Sequence, residues 1–350
     1  MTQQQRKDEH IYWAEKFYHE KENSLEGIRF IHQGLPKIDV EGVDIQTHLF
    51  DKVQAAPFYI NAMTGGTTKA KDINQQLAWV AKRANIALAL GSASIVTREE
   101  ETLSSFLIAK EELQEGTFIG NIGLEYEPSM IEDVANRLEV DAMQVHINVA
   151  QELFMPEGNR TFSSWKKHLS MLSTLPFPVI IKEVGFGMSG ETFTELIENN
   201  IQYVDLSGRG GTNFAQIEIA RSNHRTENLA TWGQTTAESL LEAQPFLNDL
   251  QIFASGGIQS PLDVVKCMAL GAQSVGVAGY FLHFLLEHGK EKTLDEVLRW
   301  QEEIRLLYTL LNCKNHKELQ YTNLFLSDHL QHWYNTRQIG QENFACRNKK

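Results

Sequence analysis

The chain is poor in cysteine and proline, with 3 cysteines and 8 prolines in 350 residues. Cys267, Cys313 and Cys346 lie far apart, and none belongs to a Cys-x-x-Cys pair. This spacing gives no sign of a disulfide framework or of a cysteine zinc site. A reducing compartment is the simplest setting for such a chain, so we expect a cytoplasmic protein.

Positive charge is also scarce, with 32 lysine and arginine residues against 45 aspartate and glutamate residues, for a net charge of −13. Such a balance disfavours nucleic acid and anionic membranes as partners, but it allows a local cationic pocket. No run of about 18 apolar residues could span a bilayer. The segment Met1–His10 has no apolar signal region. We therefore expect neither nucleic acid nor a membrane as a partner.

What the chain does contain is a series of eight short apolar runs, and all but the second end in a small or polar residue. Segments long enough for a helix separate them, which is the pattern of a (β/α)8 barrel. The runs are residues 58–62, 86–90, 117–121, 142–148, 179–182, 203–207, 252–256 and 274–278. The predicted fold class is therefore α/β, a TIM barrel with its chemistry at the C-terminal ends of the strands.

The predicted organisation is a single TIM-barrel domain over residues 1–350, with the barrel itself at about 58–288. Residues 1–57 form a lead-in with a helix from about Arg6 to Glu20, followed by extended chain. Residues 289–343 are predicted to form helices that pack against the barrel or a neighbouring subunit.

Within the later part of the chain, the apolar spacing predicts helices at 294–311 and 319–334. A further helix has its own start and stop signals. Ser260 is a candidate N-cap, Pro261 suits the first helical position, and Gly271 suits the end.

Glycines follow the last predicted strands, in Ser207-Gly-Arg-Gly-Gly-Thr212, Ala254-Ser-Gly-Gly-Ile258 and Val277-Ala-Gly279. Glycine lets backbone N–H groups approach a ligand closely, and a following helix N-terminus favours an anion. Each pair alone could simply make a tight turn. The loops after strands seven and eight of such barrels often bind phosphate, so Gly256–Gly257 and Ala278–Gly279 together predict a phosphate site.

Lys182 ends the fifth predicted strand inside an apolar run, where a charge is expensive to bury without a partner. A cation beside the N1–C2 edge of a flavin would stabilise the anionic reduced ring. A Schiff-base lysine is a second functional interpretation. A structural ion pair with Glu183 or another neighbour is the third.

Several motifs in this order resemble those of an FMN-binding barrel: Asn61-Ala-Met-Thr-Gly-Gly66, Lys182, Ser207-Gly-Arg-Gly-Gly-Thr212 and Gly256-Gly257. Two more motifs narrow the resemblance to the type 2 isopentenyl-diphosphate isomerase family. They are Arg6-Lys7-Asp8-Glu9-His10 and His146-Ile-Asn148-Val-Ala-Gln151-Glu152. The resemblance extends from Arg6 to Gly279 and therefore covers most of the chain.

The resemblance implies an isomerase of isoprenoid biosynthesis that interconverts isopentenyl diphosphate and dimethylallyl diphosphate. The double bond would move by 1,3-allylic proton transfer, with reduced FMN as acid and base. NADPH or NADH would reduce the flavin, and Mg2+ would bridge to the substrate diphosphate. The family also implies a homotetramer or homo-octamer.

Site residues are implied position by position. Arg6, Lys7, His10, Asn148 and Gln151 would bind the substrate. Gln151 would lie beside the double bond as the catalytic residue, and Glu152 would be the Mg2+ ligand. The residues that would contact FMN are Ala62, Met63, Thr64, Ser92, Asn121, Lys182, Ser207, Thr212, Gly256, Gly257, Ala278 and Gly279. An arginine–lysine pair suits a diphosphate, and Mg2+ needs few carboxylates when phosphate oxygens complete its shell. Without the resemblance, Arg6 and Lys7 could be solvated surface charges and Glu152 a carboxylate at a helix start.

Other functions compete with this interpretation. A 2-hydroxy acid oxidase needs a histidine base and an arginine clamp, but the loop after strand six has Arg209 and no histidine. An IMP dehydrogenase needs a cysteine on a loop, whereas Cys267 falls in a predicted helix. A barrel that binds flavin or phosphate without catalysing a reaction is an alternative from a different functional class.

Overall fold

The computed structural model describes residues 3–18, 24–61, 63–155, 158–222 and 231–349, apart from the side chains of Arg6 and of a few residues at the edges of these ranges. The β-strands in this part of the chain are β1 (Ile28–Phe30), β2 (Thr47–Leu49), β3 (Lys52–Gln54), β4 (Phe58–Ile60), β5 (Leu88–Ala89), β6 (Phe118–Gly123), β7 (Ala142–Ile147), β8 (Val179–Glu183), β9 (Tyr203–Asp205), β10 (Gln251–Ser255), β11 (Ser274–Val277) and β12 (Leu324–Leu326).

The α-helices of the same residues are α1 (Gln3–Lys16), α2 (Thr68–Ala84), α3 (Ser104–Leu113), α4 (Pro128–Leu138), α5 (Val149–Phe154), α6 (Trp165–Leu172), α7 (Gly190–Glu198), α8 (Phe214–Ser222), α9 (Thr236–Glu242), α10 (Pro261–Ala269), α11 (Gly279–His288), α12 (Lys290–Leu310), α13 (His316–Leu319) and α14 (Asp328–Thr336). Among the helices described, none combines the length and the apolar character that a bilayer crossing requires.

The strands from β4 to β11 close into one parallel barrel in chain order, and β11 pairs back onto β4. Each predicted apolar run overlaps one of these strands. The predicted fold class, an α/β TIM barrel, is therefore confirmed.

Side chains along the barrel strands alternate between the barrel interior and the surrounding helices. In β7, Ala142 belongs to a small apolar cluster inside the barrel, whereas Met143 and Val145 belong to the larger core beneath the helices. Gln144 and His146 share the register of Ala142 and therefore face inward. The same period turns Lys182 of β8 into the barrel, because Ile180 lies in the inner cluster.

An apolar plug closes the N-terminal end of the barrel. Phe50 lies between β2 and β3, and its ring centroid is 5.4 Å from that of Tyr203 and 6.4 Å from that of Phe253. Leu49 packs in the same cluster. The open mouth is therefore at the C-terminal ends of the strands, where the polar inward-facing residues lie.

The signals for the helix after β10 are confirmed. Ser260 accepts a hydrogen bond from the backbone N–H of Asp263 at 3.2 Å, and Pro261 occupies the first helical position. The helix ends at Ala269, and Gly271 follows with a φ of +96°. Glycine adopts this conformation without the strain that a side chain would cause.

The C-terminal region corrects one prediction. The helix at 294–311 is present as α12, but the single helix at 319–334 is wrong, because α13 ends and β12 intervenes before α14 begins. Strand β12 pairs antiparallel with β1, so that Leu326 lies opposite Ile28. Local apolar spacing cannot reveal a strand whose partner lies near the other end of the chain.

Candidate active site

A large cavity lies at the C-terminal mouth of the barrel, with about 1510 Å³ of space including the part open to solvent. Residues from α1 and from the ends of the barrel strands line it. The sequence-predicted site residues among them are Lys7, His10, Met63, Thr64, Ser92, Asn121, Asn148, Gln151, Glu152, Lys182, Ser207, Thr212, Gly256, Gly257, Ala278 and Gly279. Ala62 and the side chain of Arg6 lie outside the described residues.

Polar side chains that face inward from the strands form a layer at and directly beneath the floor of this cavity. We call this set the floor layer, and it consists of Tyr59, Asn61, Asn121, Gln144, His146, Lys182, Asp205 and Ser255. Its centre is Asp205, which has no exposed surface. One carboxylate oxygen, Oδ2, lies 3.2 Å from Lys182 Nζ and accepts hydrogen bonds from Tyr59 and Asn61. The other, Oδ1, accepts a hydrogen bond from Ser255 Oγ at 2.6 Å.

A chain of hydrogen bonds crosses the floor layer from His146 to Asp205. His146 Nδ1 lies 2.9 Å from Asn121 Oδ1, and Asn121 Nδ2 donates to Gln144 Oε1 at 3.0 Å. Gln144 Nε2 donates to Asn61 Oδ1 at 3.0 Å, and Asn61 Nδ2 donates to Asp205 Oδ2 at 3.1 Å. Because each amide donates toward the carboxylate, His146 is the donor at the far end and carries its proton on Nδ1.

His146 borders the cavity as a neutral side chain. Burial and, to a smaller extent, the nearby charges of Lys182 and Lys7 together lower its pKa from 6.5 to about 4. The ring therefore acts at neutral pH as an uncharged hydrogen-bonding group.

The partner of Lys182 is Asp205 rather than the carboxylate of Glu183. Lys182 Nζ donates to the backbone carbonyl of Glu183 at 2.9 Å. The Glu183 carboxylate instead accepts hydrogen bonds from the N–H groups of Gly185, Phe186 and Gly187, at 2.7, 2.5 and 3.1 Å. Burial raises the pKa of Glu183 to about 7 against the effect of these bonds. Glu183 thus holds the loop after β8.

The glycine-rich loops after β9 and β10 pack backbone against backbone at the cavity wall. Gly256 has a φ of +98°, and a Cβ there would lie 2.1 Å from the carbonyl oxygen of Gly208. Gly257 has a φ of +75°, and its Cβ would lie 2.6 Å from the carbonyl oxygen of Gly210. These positions exclude side chains and leave backbone to face the cavity. Nearby, α11 begins at Gly279, so the electropositive end of that helix also borders the cavity.

Gln151 is held in one orientation by two neighbours. Asn148 caps α5, and its side-chain amide donates to Gln151 Oε1. Gln151 Nε2 donates to Glu218 Oε1 at 2.9 Å, and the same oxygen lies 2.8 Å from His10 Nε2. The carboxylate of Glu218, which is completely buried, therefore joins Gln151 to α1.

Helix α1, which we call the cover helix, lies over the mouth and is attached through side chains. Lys7 Nζ donates to the carbonyl of Ser92 at 2.5 Å, and Thr67 Oγ1 donates to Asp8 at 2.8 Å. Near the end of the helix, Glu15 Oε2 lies 2.9 Å from Nδ1 of His283, a residue of α11. These contacts place the lysine of the Arg6–Lys7 motif at the cavity wall.

Two predicted residues have further contacts that limit what they can do. Thr64 Oγ1 donates to Asn74 Oδ1 at 2.5 Å, so its hydroxyl is engaged with α2. Glu152 Oε2 accepts from the backbone N–H of Asn159 at 2.6 Å. The described residues contain no cluster of three or more His, Cys, Asp or Glu side chains suited to a metal. A hard cation at Glu152 would depend on water and ligand oxygens.

Sequence reasoning missed Asp205 and Glu218. A signal existed for Asp205, since a carboxylate in a buried parallel strand needs a partner for the same reason as Lys182. Glu218 gave no such signal, because its helix position shows neither a motif nor a charge in an apolar strand.

Comparisons with known proteins agree with this arrangement. A family model described as FMN-dependent dehydrogenase matches residues 120–325. The chain is 40% identical to an isopentenyl-diphosphate delta-isomerase of Latilactobacillus sakei, over 96% of this chain and 97% of that protein. It is 43% identical to the isopentenyl-diphosphate delta-isomerase of Limosilactobacillus reuteri, over 93% of this chain and 95% of that protein. The chain belongs to the isopentenyl-diphosphate delta-isomerase family. The family resemblance read from the motifs is therefore confirmed.

Solved structures of other FMN barrels share the architecture of this isomerase family member. A flavocytochrome b2 mutant with benzoylformate superposes with a TM-score of 0.69 at 20% identity, covering 95% of this chain and 84% of that one. A mandelate oxidase mutant with a monooxide FMN adduct gives 0.62 at 17% identity, covering 91% and 92%. At these identities the likeness concerns the fold alone.

Proposed function

We propose that this protein interconverts isopentenyl diphosphate and dimethylallyl diphosphate by 1,3-allylic proton transfer, with FMN as its cofactor. The observation that carries the proposal is that Lys182, Gln151 and Lys7 line one cavity at the barrel mouth. Membership of the isomerase family and the match to the FMN-dependent dehydrogenase model support the same conclusion.

The cavity fits FMN on its floor and glycine-rich sides. Lys182 places an ammonium in the floor layer, where it would meet the N1–C2 edge of the ring. The backbone at Gly256 and Gly257 and the start of α11 would take the phosphate. Bound FMN in its reduced form would supply the acid and base for proton transfer.

The substrate would lie between the ring and the cover helix. Arg6 and Lys7 would bind the diphosphate, with His10 and Asn148 nearby, and Glu152 would hold Mg2+ against the same group. Lys7 suits this role because its Nζ lies at the cavity wall. Phosphate oxygens complete a Mg2+ shell when the protein offers few carboxylates.

Gln151 would orient the isoprenoid double bond. Its amide donates to Glu218 and accepts from Asn148, so its plane is fixed before substrate binds. An amide is not basic, and its contribution to proton transfer is therefore positional.

The remaining parts of the proposal come from the family resemblance. NADPH or NADH would reduce the flavin without net redox change per turnover. Mg2+ would be required for diphosphate binding. The protein would be cytoplasmic and would assemble as a homotetramer or homo-octamer.

The decisive test is anaerobic incubation with isopentenyl diphosphate, FMN, NADPH and Mg2+ in D2O, followed by NMR. We expect deuterated dimethylallyl diphosphate that forms only when the flavin is reduced. A protein that binds and reduces FMN but yields no product would overturn the isomerase proposal and favour an oxidoreductase.

The alternative, an FMN-dependent oxidoreductase of the 2-hydroxy acid oxidase or IMP dehydrogenase type, has less support. Among the described residues, the cationic side chains lining the cavity are Lys7 and Lys182, and Arg209 lines a smaller neighbouring cavity. Cys267 is buried in α10, where burial raises its thiol pKa well above the usual value. The described residues that line the cavity therefore include neither an arginine nor a cysteine.

A further inference from the structure

Asp205 is the most heavily bonded side chain of the floor layer. Its Oδ2 lies within 3.2 Å of Lys182 Nζ, Tyr59 OH and Asn61 Nδ2. Its Oδ1 accepts from Ser255 Oγ at 2.6 Å and from the backbone N–H of Ser207 at 3.3 Å. The donors come from four separate barrel strands or their ends, so the carboxylate is fixed from several directions.

Asp205 supplies the negative charge that contacts Lys182 Nζ. The lysine side chain is 7% exposed, and its other close contact is one backbone carbonyl. A buried ammonium without a counter-charge loses its proton readily, because desolvation disfavours the charged form. A lysine stem is also flexible, so its end is placed by what it binds.

We propose that Asp205 is a positioning residue that keeps Lys182 protonated and holds its Nζ at the cavity floor in both redox states of the cofactor. This role rests on the proposed FMN site. In this role Asp205 does not contact the cofactor. Asp205 acts through Lys182. The flavin would be reduced beside a lysine that already carries its charge, so Lys182 would not take up a proton during reduction.

The first experiment uses protein without FMN and is independent of the proposed function. The apparent Tm is measured from pH 6 to 9 for the wild type, Asp205→Asn, Lys182→Met and the double variant. Asp205→Asn leaves an unpaired ammonium whose folded pKa falls below its unfolded value. Its stability deficit should therefore shrink as the pH rises, and the double variant should recover part of the loss.

The second experiment measures the FMN midpoint potential of the holoprotein against pH by dithionite titration with a redox dye. In Asp205→Asn, Lys182 should take up a proton when the flavin is reduced. As the pH rises, the midpoint potential of this variant should then fall more steeply than that of the wild type. The difference in slope should correspond to one additional proton taken up per two electrons. Glu242→Gln, which alters a buried carboxylate bonded to Trp333 and Arg337, is the control and should keep the wild-type slope.

Each outcome decides the matter. Parallel potential curves in Asp205→Asn and wild type overturn the role, as do strictly additive stability effects of the two single variants. If Asp205→Asn does not fold but the double variant does, the pair is supported. If neither folds, Asp205 acts on the fold rather than through Lys182, and the role is overturned. Failure of wild-type protein to bind FMN would overturn the proposed function, while the stability experiment would still test the pair.

Discussion

The floor layer and the cover helix line the same cavity, but different kinds of contact hold them. The floor layer sits on barrel strands, and its central pair, Asp205 and Lys182, is 0% and 7% exposed. The cover helix is attached by side chains such as Glu15 and His283, which are 26% and 22% exposed. Removing one member of a buried pair costs about 3–5 kcal/mol, whereas a partly exposed pair is worth about 0–1 kcal/mol. The central pair of the floor layer should therefore contribute more to stability than the Glu15–His283 contact of the cover helix.

The largest effect should come from breaking the floor. Lys182→Met leaves Asp205 buried without its cation, so we expect a loss of about 3–5 kcal/mol in the free energy of unfolding and weaker FMN binding. Urea denaturation and flavin titration measure the two effects. Lys266→Met is the matched control, because Lys266 is a similarly buried lysine that donates to the carbonyl of Leu25 away from the cavity. An equal loss of FMN affinity in the control would contradict the assignment.

The floor should also make the protein sensitive to acid. The folded pKa of His146 is about 4 against 6.5 for the free side chain, so the unfolded state binds the proton more tightly. The contribution of neutral His146 to the free energy of unfolding is about 3 kcal/mol. It is fully present above pH 6.5 and is lost as the pH falls toward 4. In denaturation curves at pH 7 and 4.5, His146→Asn should lose less stability on acidification than the wild type. His32→Asn, at an exposed histidine, should behave like the wild type, and identical acid losses in all three would refute the prediction.

Gln151 joins the two regions, and its removal should affect turnover more than binding of the cofactor. Gln151→Ala is expected to lower kcat on the order of 100-fold, because the double bond is no longer oriented. FMN affinity should stay unchanged, as measured by flavin fluorescence. Gln301→Ala, which removes a glutamine bonded to the Ala84 carbonyl on the outside of the barrel, is the control. Unchanged turnover in Gln151→Ala would contradict the role of Gln151 in orienting the double bond.

Glu152 should matter only for the metal. Glu152→Gln keeps the shape of the side chain but lowers its charge, so we expect the Mg2+ concentration for half-maximal activity to rise roughly tenfold. Glu111→Gln on the exposed surface of α3 is the control. A metal titration that is the same for both variants would reject Glu152 as a ligand.

The smallest effect should come from loosening the cover helix. Glu15→Gln weakens the contact with His283, and a partly exposed pair of this kind corresponds to at most about a 5-fold rise in KM for the diphosphate substrate. Both kcat and FMN affinity should stay near wild-type values. Glu291→Gln at the start of α12 is the control. A large fall in kcat for Glu15→Gln would show that the cover is as much a part of the chemistry as the floor.

The site could be predicted only in part, and the reason differs by region. Lys182 was found because a charge in an apolar strand is conspicuous, and the same argument would have found Asp205. That the two form a pair could not be read from the chain, since their distance depends on the register between β8 and β9. Glu218 could not be found at all, because its importance arises where α8 meets α5 and the cover helix.

The order and spacing of the apolar runs determined the barrel, because strands buried on both faces and helices buried on one face leave different periods in a sequence. The same periods determined which residues end the strands and therefore where the cavity lies. Only the tertiary structure decided which buried charges neutralise one another and how β12 finds β1. Burial forces every polar group to find a partner, but the identity of that partner depends on distances between segments that lie far apart in the chain.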